Sequence, residues 1–532
     1  IVLGPGDRLE PISTLNSELL RKISGKSKFH GLTPDQVALG MMLEPQQWQH
    51  VPVFKIKNKE LRRILNISTN YACFIDFFEI NQNYKLSSFI NEAFRKNPFD
   101  QSKLDKDIIS IDEKINVFYT MMMGGFLKVF PDINAPVAKW YHTGSEINNF
   151  PEADSNFVKN IIPVYISSLS EATQTGNYDQ ADEFVEAIKI FQQKYAGELI
   201  PSLNHRKVEI LYNRVEIFER LYKYYGMLGL VFLVLLFVNL VNHRFKIGFA
   251  KKAIIGLLML LFVFQTAGFI ARWYISGHAP MSNGYESMIY ISWAAMLAGF
   301  IFVRKSPISL AATSILSSLT LFVAHLNWMN PEVTNLVPVL KSIWLTIHVG
   351  VITASYGFLG LVMIMGLFNL LLMIFQNKKN YKNFQITIKE ISMTSEMAMT
   401  IGLFLITIGS FLGGIWANES WGRYWGWDPK ESWALVTILV YTVILHIGYI
   451  PGIKGRYLFN ALSVIGFASV LMTYFGVNYY LSGLHSYAAG DAVPIPKFVY
   501  YTLAILFVIL VVAWVNSQKL KDLEIEFNSD NQ

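Results

Sequence analysis

The chain has 532 residues, 52% of them hydrophobic and only 16% charged, with a mean hydropathy of +0.33 and a net charge of +6. Soluble domains carry about 25% of their residues as Asp, Glu, Lys and Arg, so the composition excludes disorder and a simple soluble enzyme and points to a polytopic α-helical membrane protein. The single cysteine, Cys73, excludes an internal disulfide and any multi-cysteine metal site.

Residues 1–225 hold most of the charge and no apolar run long enough to cross a bilayer, and they read as a soluble domain of mixed α/β type. Short apolar, β-branched runs predict strands at 51–57 and 71–78. In 178–195 the apolar positions Ala181, Phe184, Val185, Ile188 and Phe191 recur at helical spacing. The same spacing from Val208 through Leu211, Tyr212, Val215, Phe218 and Tyr222 to Tyr225 predicts a helix running directly into the first span. Met121–Met123 before Gly124 and Gly125 reads as core or turn rather than a soft-metal site. No repeat, phosphate loop or nucleic-acid motif is found, so no nucleic-acid partner is expected.

A membrane-crossing helix needs about 20 apolar residues. Nine segments qualify: 226–242, 252–276, 286–303, 308–327, 343–376, 393–415, 433–450, 457–480 and 497–516. The fifth is long enough that its start lies at the interface or the helix tilts. Short loops on one side hold 14 Lys and Arg, against 5 on the other (Arg272, Lys341, Arg423, Lys430 and Lys497). The positive-inside rule makes the first side cytoplasmic, with the tail 517–532, and places the N-terminal domain outside. Ile1 in place of a methionine reads as a segment of a longer protein or a processed product.

The outer segment 416–433, WANESWGRYWGWDPKESW, holds Trp416, Trp421, Trp425, Trp427 and Trp433, five of the 12 tryptophans. Interfacial belts enrich Trp, but a belt needs neither Gly422 and Gly426 between the rings nor Asp428-Pro429. Rings punctuated by glycine suit a flat aromatic ligand that stacks and is approached closely by backbone. His348, at the outer start of the fifth span, and His485, in LSGLHSYAAGD, flank this segment on the same side. Two neutral imidazoles above and below a planar macrocycle are what axial ligation of haem iron requires. His446 lies 13 residues along the seventh span from Trp433, about 20 Å deep. An ionisable side chain there reads either as functional or as a neutral hydrogen-bonding group.

WGRYWGWDPKESW and its flanking histidines resemble the tryptophan-rich WWD signature of haem-handling membrane proteins. Residues 243–516 resemble the CcsA part of System II cytochrome c synthases. The large outer domain and connecting span 226–242 more weakly resemble the end of a ResB/CcsB part, as in fused CcsBA proteins. The resemblance implies a bacterial inner-membrane holocytochrome c synthase (haem lyase) with its soluble domain and WWD loop periplasmic. It implies haem b as ligand and substrate, with His348 and His485 as axial ligands, catalytic together with Trp421, Trp425, Trp427 and Asp428. Trp416, Trp421, Gly422, Arg423, Trp425, Gly426, Trp427, Asp428 and Trp433 would contact haem, and His446 would ligate it in transit across the membrane. The family pairs that residue with a second transmembrane histidine, whereas the first span here offers only His243 at its end, so a partner is expected from an upstream CcsB-type segment. Implied partners are apocytochrome c, haem, the lipid bilayer and thiol reductants.

Arg423 and Lys430 read either as propionate contacts or as interface charges, and Asp428 reads also as a helix cap. An exporter or chaperone passing haem to a separate lyase is the alternative of similar chemistry; a non-haem transporter would ignore the outer histidines. His278 is placed near the site, His325 is read as structural, and Glu396 as a snorkelling carboxylate near the inner end of the sixth span. His30, His50, His142 and His205 carry no recognisable ligand spacing.

Overall fold

The computed structural model describes the chain except residues 98–99, 138, 146–149, 243–244, 327–328, 337–339, 451–454, 482, 486–494, 496 and 521–532. It forms two units, Ile1–Val215 with Glu332–Asn335, and Glu216–Pro331 with Leu336–Gln532.

The first unit is helical around three antiparallel two-stranded pairs: Val2–Leu3 with Leu9–Glu10, Phe54–Lys55 with Tyr71–Ala72, and Phe130–Pro131 with Trp140–Tyr141. The strands expected at 51–57 and 71–78 therefore shrink to two residues each. Asp76 Oδ2 accepts the Cys73 N–H at 2.7 Å and closes a 3₁₀ turn over Phe74–Phe77, a local bond that competes with a longer ladder. The aromatic residues of this stretch still reach the core, where the Phe54 ring meets Phe77 and Phe118 edge-on at 5.4 and 5.3 Å. Met121 and Met122 are buried at the end of helix Lys103–Met122, and Gly124 turns the chain at φ +67°. The helix expected at 178–195 spans Asp179–Ala196, with Phe191 stacked on Phe157 at 5.2 Å.

This unit buries carboxylates. Arg8 pairs with Glu10 and with Glu209 at 2.8 Å, while Glu18 is 9% exposed. Burial pushes the Glu18 carboxyl up to about 9, aided by Glu10, and pushes Glu10 up to about 7 against the pull of Arg8. Both folded-state values lie above the unfolded ones, so the folded unit holds protons that the unfolded chain releases. The stabilisation is complete below pH 4.5 and is lost as pH rises through 7 to 9. Amide exchange across helix Ile12–Ser24 should therefore accelerate between pH 6 and pH 9 beyond the intrinsic rate, by up to about tenfold per pH unit for each proton released. Glu18→Gln should flatten that dependence.

The spacing that leads from Val208 toward the membrane does not make one helix. Glu216 has φ +48°, which ends the helix Leu203–Val215 and starts another at Ile217, because a left-handed residue cannot continue a right-handed helix. Among the described residues nine helices are long and apolar enough to cross a membrane. They are α1 (Ile217–Val241), α2 (Gly248–Ser276), α3 (Gly284–Phe302), α4 (Pro307–Ala324), α5 (Ile343–Phe375), α6 (Tyr381–Trp421), α7 (Pro429–His446), α8 (Arg456–Tyr480) and α9 (Lys497–Lys519). The protein is a multi-pass membrane protein. α6 begins at Tyr381 rather than 393, since its first turns carry Lys382, Lys389 and Glu390 and escape a hydropathy count. Its 41 residues extend about 60 Å, twice a hydrocarbon core of about 30 Å.

Polar staples join the helices where lipid offers no competing partner. Asn369 Nδ2 on α5 donates to Asn460 Oδ1 on α8 at 2.9 Å and to Ser392 Oγ on α6 at 3.1 Å. Ser314 and Ser318 on α4 donate to the carbonyls of Tyr225 and Tyr222 on α1 at 2.8 and 2.7 Å. Such pairs fix the rotation of each helix and hence which residues face inward.

Candidate functional site

The N-termini of α3, α5 and α7 and the C-termini of α6 and α8 meet at one end of the bundle around a cavity of about 330 Å³. That lies at the lower end of ligand-pocket volumes. Its wall includes Met281–Gly284 at the start of α3, Leu345, His348, Ile352 and Tyr356 of α5, and Gly413 and Trp416 of α6. Trp425, Lys430 of α7, Thr473, Tyr474 and Asn478 of α8, and His485 complete it. Thr473 and Tyr474 belong to a π turn, Met472–Gly476, a local widening that recurs at functional sites.

His348 is fixed from α6. Its Nδ1 donates to the Gly409 carbonyl at 2.7 Å, and since a carbonyl only accepts, the neutral ring carries its proton on Nδ1 and a lone pair on Nε2. Two glycines permit the approach. A Cβ at Gly413 would lie 2.5 Å from His348 Cε1, and one at Gly409 would lie 3.1 Å from the Ile352 backbone.

His485 reaches the same cavity from the turn after α8 and is 8% exposed. Its Nδ1 donates to Asp428 Oδ2 at 2.9 Å. Burial, helped by the Lys430 cation, holds its protonation below the ordinary histidine range despite the opposing pull of Asp428. The ring is therefore neutral at neutral pH, again with the lone pair on Nε2. Among the described residues neither Nε2 has a hydrogen-bond partner.

Trp416 touches both. It is fully buried, nearly parallel to His348 (13°, 6.3 Å between centroids) and inclined to His485 (63°, 5.4 Å). Trp421 meets both Trp416 and His485 edge-on, at 4.8 and 5.0 Å. The Trp416 Nε1–H is buried without an acceptor among the described residues. A ligand that enters the cavity with an acceptor in the plane of this ring would satisfy the unused donor.

Residues 281–485, which run from the first wall residue to His485, match the family model described as cytochrome C assembly protein. The chain is 42% identical over 500 residues to Protein NrfI of Wolinella succinogenes, covering 93% of this chain and 54% of that protein. It is 33% identical over 298 residues to the cytochrome c biogenesis protein CcsA of Prochlorococcus marinus (strain MIT 9301), covering 50% of this chain and 95% of that one. It is 31% identical over 283 residues to CcsA of Guillardia theta, covering 49% of this chain and 89% of that one. The chain belongs to the CcsA family of cytochrome c biogenesis proteins. It also spans about half the length of NrfI.

Within this CcsA-type unit the tryptophan segment is mostly helix. α6 runs to Trp421 and stops at Gly422, whose φ of +72° forms the left-handed cap, and α7 begins at Pro429. The loop proper is thus 422–428. Asp428 caps α7: its Oδ2 accepts the Lys430 N–H at 3.2 Å, and Glu431 Oε2 accepts the Asp428 N–H at 3.1 Å. Its Oδ1 accepts the Leu484 N–H at 2.7 Å, so one carboxylate holds a helix start and the His485 turn together. Gly426 donates its N–H to Glu431 Oε2 at 2.8 Å, and the Arg423 guanidinium covers the space a Cβ would take there.

Of the predicted site residues, His348, His485, Trp416 and Trp425 line the cavity. Trp421 and Asp428 sit behind His485, and Trp433 uses its carbonyl to accept from the Thr437 and Thr473 hydroxyls. Trp427, at φ +58°, is 71% exposed and touches Trp425 edge-on at 5.8 Å. His446 is exposed at the far end of α7, with Nδ1 on the Thr442 carbonyl at 2.8 Å, and does not join the cavity. His243 lies outside the described residues. His278 binds the adjacent Ala279 carbonyl through Nδ1, off the cavity wall. His325 follows α4 and lies 3.6 Å from Glu219. Glu396 is exposed several turns inside α6.

The wall at Met281–Gly284 depends on a buried charge pair. Arg272, counted above among the outer basic residues, lies inside the predicted span 252–276 and inside α2, which ends at Ser276. It is 0% exposed, with Nε donating to Glu286 Oε1 at 2.8 Å and a terminal nitrogen donating to the Pro331 carbonyl at 2.7 Å. Glu286 Oε2 in turn accepts from the Ser282 N–H and hydroxyl at 2.8 and 2.7 Å. An arginine inside an apolar segment was the available signal, since such a charge requires a partner. Glu286→Ala should cost about 3–5 kcal/mol by leaving Arg272 buried and unpaired. A lowered unfolding midpoint in detergent checks it, and a change under about 1 kcal/mol contradicts it.

Proposed function

We propose that this chain acts in cytochrome c biogenesis as a haem-handling synthase, presenting haem to apocytochrome c and promoting thioether attachment. The observation that carries the reading is the pair His348 and His485. Each is held by Nδ1, each has an unused Nε2 lone pair, and both line one cavity beside an orphaned indole N–H. Haem is the substrate whose iron takes two such ligands.

In this reading Trp416 and Trp425 pack against the macrocycle, Trp421 backs His485, and Asp428 orients it. His485 stands on a turn, whereas His348 is set in a helix, so His485 is the ligand that the histidine of a Cys-X-X-Cys-His segment displaces. Each thiol then adds across a haem vinyl group: sulfur bonds to the carbon nearer the ring and its hydrogen goes to the terminal carbon. No group leaves and nothing is oxidised, provided the thiols arrive reduced. The chain supplies position rather than a covalent nucleophile.

Trp427, Gly422, Gly426, Arg423 and Trp433 shape the rim of the site. His446, exposed at the other end of α7, serves as a second haem contact completed by residues of a larger assembly. The basic asymmetry of the loops supports a cavity on the non-cytoplasmic face, which in a bacterial inner membrane is the periplasmic one.

Purified protein, haem b, a reductant and a reduced Cys-X-X-Cys-His polypeptide test the activity. A product whose haem survives acid–acetone extraction is expected. Haem that transfers but stays extractable would replace the synthase reading with that of an exporter or chaperone.

A further inference from the structure

Among the described residues Lys430 is the one lysine or arginine on the cavity wall. Lys430 stands in the first turn of α7 and lines the cavity, and its Nζ donates to Asn478 Oδ1 on α8 at 2.9 Å. Among the described residues its other two N–H donors have no partner, and no carboxylate oxygen lies within 4.0 Å. Both oxygens of Asp428 and one of Glu431, which also lines the cavity, hold other donors. Asp428 accepts from His485, Leu484 and the Lys430 backbone, and Glu431 Oε2 accepts from two backbone N–H groups. The hydroxyls of Ser282, Ser287 and Thr473 are likewise engaged, with Glu286, the Asn283 carbonyl and the Trp433 carbonyl. Arg423, the other basic residue of this segment, is not on the cavity wall.

We propose that Lys430, held by Asn478, is the carboxylate-binding subsite of the cavity and takes a propionate of the bound haem. The proposal rests on the haem reading above and refines it. Two axial imidazoles fix the iron but leave the macrocycle free to turn about the axis through them. A propionate tied to Lys430 removes that freedom and so sets where the vinyl groups, on the other edges of the ring, meet the incoming thiols. An ammonium with two unused donors in a largely apolar cavity is suited to this, because its attraction to a carboxylate is stronger there than in water.

The full chain in detergent is titrated with haem and with haem dimethyl ester, in which both carboxylates are blocked, and each dissociation constant is read from the absorption band. The wild type should prefer haem by about tenfold or more. Lys430→Gln should abolish that preference by weakening haem alone, and Lys430→Arg should keep it. Lys430→Ala serves if the glutamine variant does not fold. Equal affinity of the wild type for both ligands, or a variant that weakens both equally, overturns the subsite and leaves the haem cavity standing. Failure of the wild type to bind either ligand overturns the haem reading itself.

Discussion

Replacing His485 with alanine should lower the yield of holocytochrome c by more than about 100-fold, with partial recovery when millimolar imidazole is supplied. Removing only a group that supports a metal ligand costs about 10–100-fold, and this change removes the proposed ligand itself. The imidazole removed is neutral, buried and held with Nε2 unused, so the neutral form of free imidazole can take its place. His348→Ala should fall as far and recover less. Its ring fills the space between α5 and Gly413 of α6, and losing it also removes the Gly409 contact that joins those helices. Holocytochrome stained for haem after denaturing electrophoresis gives the readout. Unchanged yield in either variant contradicts the assignment.

The second large effect is expected at Asp428, through a residue that need not touch haem. Its two oxygens have three N–H partners: Leu484 on Oδ1, and His485 and the Lys430 backbone on Oδ2. In Asp428→Asn the new side chain would still cap α7 wherever its oxygen takes the Oδ2 position, since asparagine caps as well as aspartate. It would place an NH₂ where an acceptor stood. If the amide nitrogen faces His485, Nδ1 must accept, the ring proton moves to Nε2, and the lone pair needed for iron is lost. If it faces Leu484, the turn carrying His485 loses its anchor. Asp428→Asn should therefore weaken haem binding by about 10–100-fold while leaving the fold intact. Asp428→Ala should add a capping loss of about 1 kcal/mol. Haem titration combined with the unfolding midpoint separates these effects, and haem affinity unchanged in Asp428→Asn removes Asp428 from the site.

Much of the membrane unit was legible because lipid imposes a simple length and composition rule. All nine spans stand where apolar runs placed them, and the errors fall at ends such as Tyr381, where charged turns continue a helix beyond the hydrocarbon. His348, His485 and Trp416 were visible as chemistry-bearing residues in segments that topology places on one side. Their wall was not. Met281–Gly284, Tyr356, Tyr474 and Asn478 come from distant parts of the chain, and an apolar or small residue lining a cavity has the same periodicity as one packed in a core. The tryptophan segment shows the same limit. Five rings in 18 residues signal a binding surface, but only the helix geometry tells that Trp416 faces inward while Trp427 is mostly exposed. Asp428 was legible as a cap, and its hold on His485 depends on a turn 57 residues away. In the first unit, strand propensity at 71–78 yielded to a side-chain bond from Asp76, a choice that composition does not reveal.

Everything proposed for the cavity turns on whether His348 and His485 bind the two faces of one haem iron. Absorption and magnetic circular dichroism of the purified, haem-loaded chain measure this directly. One haem per chain is expected, with a six-coordinate, low-spin, bis-imidazole spectrum that becomes five-coordinate in His485→Ala. A high-spin spectrum in the wild type, or a low-spin spectrum that survives the double replacement of His348 and His485, would contradict it.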